Sequence, residues 1–175
     1  LLINNQIYGL TKGQFSPTSQ KGKVTKSSPV GLVARPFNPI SVALGAEATF
    51  VARTHDMDRR HMQETFRRAH EHEGAAFVEV LQNCNVFNDG VFASITKKDV
   101  REDMLIELQH GKPILFGSEN QYGVARRPEG VVIVDVAEVG IEYVLVHDEN
   151  IRNPSTAFSL SRLAKTPATP TPIGV

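Results

Sequence analysis

The run Asn4-Asn5-Gln6-Ile7-Tyr8-Gly9-Leu10-Thr11-Lys12-Gly13-Gln14 holds the residue types best suited to chemistry in this chain. Asn5 offers a neutral side-chain oxygen, and Ile7, two residues on, can offer only its backbone carbonyl. Oxygens at i and i+2 can take neighbouring corners of one coordination sphere. Magnesium favours hard oxygen ligands at about 2.1 Å in near-octahedral geometry, commonly shared with substrate phosphates. Gly9 permits close backbone approach to a ligand, and Thr11 adds a hydroxyl. The same residue types also begin ordinary turns, so spacing alone leaves a metal loop and a solvated turn both open.

The other reactive residues are sparse. Cys84 is the one cysteine in 175 residues, which excludes an internal disulfide framework. Read alone, it is a small buried hydrophobe. His70 and His72 are two apart, so on a helix they point some 200° apart. His55 and His61 share no helix face, and no HExxH spacing occurs. His147-Asp148 follows an apolar stretch and has no evident chemistry.

The formal net charge of zero hides an asymmetry. Residues 1–46 carry Lys12, Lys21, Lys23, Lys26 and Arg35 without a single acid. The other 14 of the 19 basic residues face all 19 acids. A lysine-bearing loop rich in Gly, Ser, Thr and Pro suits anions such as diphosphates and carboxylates, or stays solvated. Nucleic acid is not expected as a partner. Bases stack on aromatic side chains, and Phe15 is the lone aromatic residue between Lys12 and Arg35. No apolar run approaches a membrane span and no signal peptide is visible, so a cytoplasmic protein is expected.

These residues need elements to position them. Residues 1–5 read as the end of a buried parallel strand, and ligands of α/β sheets sit at such carboxyl ends. Residues 6–39 form a long irregular segment, and loops of that length in compact domains are commonly functional. Residues 39–45 suggest a short helix, with Pro39 in its first turn and Gly45 as its stop. A strand at 49–52, a helix at 58–72 and a strand at 77–81 make a βαβ unit. Met62, Phe66 and Ala69 supply the helix's apolar stripe, Asp56 or Asp58 its cap, and Gly74 its end. Residues 104–108 and 114–116 flank His110-Gly111-Lys112-Pro113 and suggest a hairpin. Short strands at 131–136 and 143–146 and a helix at 153–163 follow. Residues 166–175, with three prolines, read as an extended tail that wraps a partner or stays disordered. The fold class expected is α/β, a parallel sheet flanked by helices with a carboxyl-terminal hairpin and extended region. Residues 1–90 are taken as one unit and 91–175 as an extension.

The run from Asn4 to Gln14, with Ser16-Pro17-Thr18-Ser19 after it, resembles the thiamine-diphosphate loop of 2-oxoacid:ferredoxin oxidoreductase β subunits. Shorter matches follow in the same order. They are Ala69-His70-Glu71-His72-Glu73-Gly74, Gln82-Asn83-Cys84, Gly111-Lys112-Pro113 with Phe116-Gly117, and Pro172-Ile173-Gly174-Val175. The resemblance covers nearly the whole chain and is to the carboxyl-terminal half of that subunit. It implies thiamine diphosphate, Mg²⁺ and a [4Fe–4S] cluster as cofactors. Asn5 and Ile7 become magnesium ligands, Gly9, Leu10 and Thr11 cofactor contacts, and Cys84 one cluster ligand. A Gly-Asp-Gly aspartate and three further cysteines are then expected upstream of Leu1.

The implied reaction is oxidative decarboxylation of a 2-oxoacid, with acyl transfer to coenzyme A and electrons passing through the cluster to ferredoxin. An α subunit is the implied partner. Leu10-Thr11-Lys12 stands where the pyruvate branch typically has Asn-Thr-Gly. Lys12 can pair with a distal carboxylate, and Leu10 leaves room for a longer carbon chain. That favours 2-oxoglutarate, and hence succinyl-CoA, over pyruvate. Another thiamine-diphosphate class, such as a non-oxidative decarboxylase or transketolase, is the further alternative.

Overall fold

The computed structural model describes residues 1–128, 130–163 and 169–175. The chain begins with β1 (Leu2–Asn4), and no helix or ladder strand forms from there to residue 38. Helix α1 (Pro39–Gly45) follows, then β2 (Phe50–His55), α2 (Arg59–Glu71) and β3 (Ala76–Leu81). Two single-turn helices, α3 (Ala93–Thr96) and α4 (Arg101–Met104), lead into β4 (Leu105–Leu108). Then come β5 (Leu115–Phe116), β6 (Tyr122–Arg127) and β7 (Gly130–Asp135). The short α5 (Val136–Val139), a 3₁₀ turn (Ile141–Tyr143), α6 (Ser155–Ser161) and β8 (Thr171–Gly174) complete it.

Local chemistry explains the helix ends. The Asn38 side chain accepts from the Ser41 N–H at 3.1 Å, and Pro39 stands in the first turn of α1, where no N–H is needed. Asp58 caps α2 by accepting from the His61 N–H at 2.9 Å. Helix α2 lays Met62, Phe66 and Ala69 on Phe50, Ala52, Val78 and Val80 of the sheet. Alternation along a strand turns Arg53, Glu79 and Leu81 to the opposite face.

The five-stranded sheet has the order β1-β3-β2-β8-β4. Strands β1, β3 and β2 are mutually parallel, so the expected βαβ unit is present. Strand β8 joins β2 antiparallel through the single pair Arg53–Gly174, and lies parallel to β4 along its whole length. The antiparallel β5-β6-β7 sheet packs against β4 and α6 through Ile106, Ile114, Phe116, Val124, Leu160 and Leu163.

Three expectations are corrected. Residues 104–108 and 114–116 do not form a hairpin: β4 pairs with β8, whereas β5 pairs with β6. The turn closed by the Lys112 N–H on the Gln109 carbonyl, at 3.1 Å, hands the chain from one sheet to the other. The hairpin of this region is β6–β7. Residues 143–146 form no ladder strand and make isolated bridges to Pro113 and Ala125. The tail is neither a wrap nor loose where it is described, since residues 171–174 are an interior strand. Pro172 is tolerated there because the ladder towards β2 needs no N–H from it; Arg53 Nη1 donates to its carbonyl at 3.5 Å. Residues 166–168 of that tail lie outside the described residues. Among the described residues, no helix is long and apolar enough to cross a membrane.

Candidate functional site

Strand β1 delivers Asn4 and Asn5 to its carboxyl end with opposite roles. The Asn4 side chain turns into the sheet face. Its Nδ2 donates to Glu79 Oε1 at 2.7 Å, and its Oδ1 accepts from Thr18 Oγ1 at 2.7 Å and from the Gln6 N–H at 3.1 Å. Glu79 Oε2 accepts from Arg53 Nε at 2.7 Å, so the carboxylate is paired on both oxygens. Asn4 is thereby spent on structure.

Asn5 is half-buried, and its Oδ1 accepts from the Ile7 N–H at 3.2 Å. This turn holds the two sequence-expected magnesium ligands together, because the side-chain oxygen of one is tied to the backbone of the other. Gln6 between them takes φ +54°, and Ser19 Oγ donates to its carbonyl at 2.5 Å. Gln6 Oε1 is buried without a hydrogen-bond partner among the described residues, and Gln6 lines a cavity of about 730 Å³ that also touches Arg35, Arg53 and Glu79.

The next residues form a tight loop. Tyr8 N–H donates to the Gln14 carbonyl at 2.8 Å, Gly13 N–H to Tyr8 at 2.9 Å, and Lys12 N–H to Gly9 at 3.0 Å. Lys12 takes φ +65° and Gly13 φ +96°. Leu10 is 99% exposed at the tip, with Thr11 and Lys12 exposed beside it. The three are brought together, facing outward rather than into a pocket of this chain.

The Cys84 loop packs directly against this one. A Cβ on Gly13 would stand 3.2 Å from Phe87 Cδ1. Asn88 donates its Nδ2 to the Asn5 carbonyl at 2.9 Å. The Cys84 thiol is pulled below its ordinary range by the backbone N–H of Phe87 above all, helped by those of Val86 and Asn88. Partial burial and Asp89 oppose this. A sulfur ringed by amides favours the thiolate, the form that ligates metal.

Other residues are placed as well. His55 and His61 line one cavity of about 620 Å³ with Asp58, Glu64 and Arg101, because β2 ends where α2 begins. Among the described residues, no group of three or more His, Cys, Asp and Glu is arranged to hold a metal. His147 Nε2 meets the Val175 carbonyl oxygen at 2.8 Å, a structural anchor for the end of β8. Glu79 and Asn88 were missed in the sequence. A charge inside the apolar strand Phe77-Val78-Glu79-Val80-Leu81 was a usable signal for the first. Asn88 had none, standing among three other polar residues of the same loop type.

A mostly parallel sheet that delivers a turn of neutral oxygens and a glycine-bearing loop from a strand end is the architecture of a thiamine-diphosphate domain. Residues 1–80 match the family model described as the thiamine pyrophosphate enzyme, C-terminal TPP binding domain. More narrowly, the chain is similar to β subunits of 2-oxoacid:ferredoxin oxidoreductases. It is 51% identical, over 94% of its length, to the 2-oxoglutarate oxidoreductase subunit KorB of Mycobacterium tuberculosis. It is 45% identical, over 51% of its length, to a 2-oxoacid:ferredoxin oxidoreductase β subunit of Saccharolobus solfataricus, covering 29% of that protein. A solved 2-oxoglutarate:ferredoxin oxidoreductase from Magnetococcus marinus, with 2-oxoglutarate, coenzyme A and succinyl-CoA bound, superposes on 99% of the chain. Its TM-score is 0.60 at 25% identity, and 44% of the solved chain is covered. The chain likewise spans 44% of the Mycobacterium relative.

The residues present fit the implied groups in part. Asn5 and Ile7 supply two hard neutral oxygens on one turn, suited to one side of a magnesium–diphosphate. Cys84 offers one sulfur in an amide-lined turn, where a [4Fe–4S] cluster takes four cysteine ligands.

Proposed function

We propose that this chain is the cofactor-holding part of a 2-oxoacid:ferredoxin oxidoreductase β subunit acting on 2-oxoglutarate in the cytoplasm. The observation that carries the proposal is the Asn5–Ile7 turn with the Cys84 loop packed against it. Thiamine diphosphate, when bound, supplies the electron sink for decarboxylation.

The chain's own residues do the rest. Asn5 Oδ1 and the Ile7 carbonyl bind Mg²⁺ and so orient the diphosphate. Gly9 keeps the backbone close to the cofactor, and the Thr11 hydroxyl is a donor for its phosphates. Lys12 binds the distal carboxylate of the substrate, with Leu10 beside its carbon chain. Because Leu10 and Lys12 face outward, an α subunit is needed to cover them and to exclude water. The Cys84 sulfur, whose pKa its neighbouring backbone amides lower, is one ligand of a [4Fe–4S] cluster. The remaining ligands of cluster and metal belong to residues outside this chain. Ferredoxin accepts the electrons, and coenzyme A the succinyl group. The division into residues 1–90 and 91–175 assigns these ligands to the first part.

The test uses the full-length subunit assembled with its partner. Lys12→Ala is expected to raise KM for 2-oxoglutarate about tenfold, worth about 1.4 kcal/mol, and to leave KM for pyruvate nearly unchanged. Equal effects on both acids would remove the substrate assignment. Cys84→Ser is expected to abolish the cluster's absorbance, and unchanged iron content would refute its role.

A further inference from the structure

Asn88 is a buried polar residue, 5% exposed. Its backbone N–H closes the Cys84 turn on the Cys84 carbonyl at 3.0 Å. Its Nδ2 donates to the Asn5 carbonyl at 2.9 Å and reaches the Gln6 carbonyl at 3.4 Å. Its Oδ1 accepts from Lys23 Nζ at 2.5 Å. One side chain therefore joins three segments far apart in sequence: the metal-ligand turn, the long basic loop and the thiolate turn. Both carbonyls it holds flank the proposed ligands. Asn5 is one of them, and Gln6 lies between Asn5 and Ile7. The neighbouring Phe87 ring adds a second contact between the two loops at Gly13.

We propose that Asn88 is a positioning residue that locks the Cys84 turn to the Asn5–Ile7 turn, so that the sulfur ligand and the magnesium–diphosphate site keep one fixed geometry. The inference rests on the reading of these two loops as cofactor and cluster loops. An asparagine suits the place because one planar amide donates towards both carbonyls while its oxygen takes the lysine. Alanine removes all three interactions: the Asn5 carbonyl loses this donor, which is costly, while the Gln6 carbonyl keeps Ser19 Oγ. Aspartate keeps the shape and the Lys23 partner but turns an acceptor towards the carbonyls.

The experiment uses the full-length subunit with its partner and two readouts. One is Mg²⁺-dependent thiamine diphosphate binding; the other is the paramagnetic resonance spectrum of the reduced cluster. Asn88→Ala and Asn88→Asp are each expected to weaken thiamine diphosphate about tenfold and to change the cluster's line shape. Lys23→Met, which spares the amide donors, should move both readouts in the same direction by less. A folded Asn88 variant, checked by circular dichroism, that moves one readout alone or neither overturns the proposal. If both Asn88 variants fail to fold, Lys23→Met decides: it must move both readouts, and a change in one or none overturns the proposal. Two controls separate this idea from its foundation. Asn5→Ala should lose Mg²⁺-dependent binding and Cys84→Ser the cluster. Failure of these controls sinks the cofactor reading, whereas their success with unmoved Asn88 variants sinks only the lock.

Discussion

Glu79→Ala is the perturbation with the largest consequence worked from this structure. The Glu79 side chain is 2% exposed and that of Arg53 12%, with Nε and Oε2 2.7 Å apart. Removing the carboxylate leaves a mostly buried guanidinium whose remaining acceptor is the Pro172 carbonyl at 3.5 Å. An uncompensated buried charge costs about 3–5 kcal/mol. The Asn4 amide loses its acceptor as well, at about 1–3 kcal/mol. The single variant should therefore lose roughly 5 kcal/mol, a large part of the 5–15 kcal/mol typical of a domain. The double variant Arg53→Met with Glu79→Leu replaces the pair by apolar groups of similar volume, often at little or no cost. It should retain only the Asn4 penalty, about 2 kcal/mol. Urea unfolding of the full-length subunit, followed by circular dichroism, measures both. A Glu79→Ala cost below about 1.5 kcal/mol would refute the reasoning. So would a double variant as costly as the sum of its parts, because the charges would then not be coupled.

Acid should act in two windows. Burial, the largest cause for each, holds His55 and His147 below the ordinary 6.5. Between 6.5 and the lower folded value the unfolded chain binds more protons than the folded one, so this contribution is full above 6.5 and is lost as pH falls from there through the folded value. His147→Gln should flatten the slope of stability between pH 7 and 5.5. The Asp58 carboxylate, held below its ordinary 3.8 chiefly by the His61 N–H, is lost only in the lower window, as pH falls through its folded value. Gly174→Ala should cost more than about 2 kcal/mol, since φ is +105° there and a Cβ would lie 2.7 Å from the Leu108 carbonyl oxygen. A melting temperature within a degree of the parent would refute that.

The elements near the site were legible because their signals are local. Asn38-Pro39 and Asp58 mark helix starts by satisfying the first N–H groups, and Met62, Phe66 and Ala69 repeat at the helical period. The apolar run of β1 ending in an amide pointed to a strand-end loop, and Asn5, Ile7 and Cys84 were picked out from residue type and resemblance. The hairpin at 104–116 misled because a turn motif says that the chain reverses, not which strand it then pairs with. The tail misled because three prolines weigh against a strand locally, yet β2 leaves a side of β8 where no N–H is required.

By itself the sequence determined the βαβ unit and the amide-and-glycine loop, since caps, period and side-chain chemistry act within a few residues. Only the tertiary structure decided that Asn4 is spent on Glu79 while Asn5 stays with Ile7. It also decided that Asn88, 83 positions from Asn5, ties the two loops together. Such pairings depend on sheet order and on which face each strand presents, and no spacing along the chain encodes either.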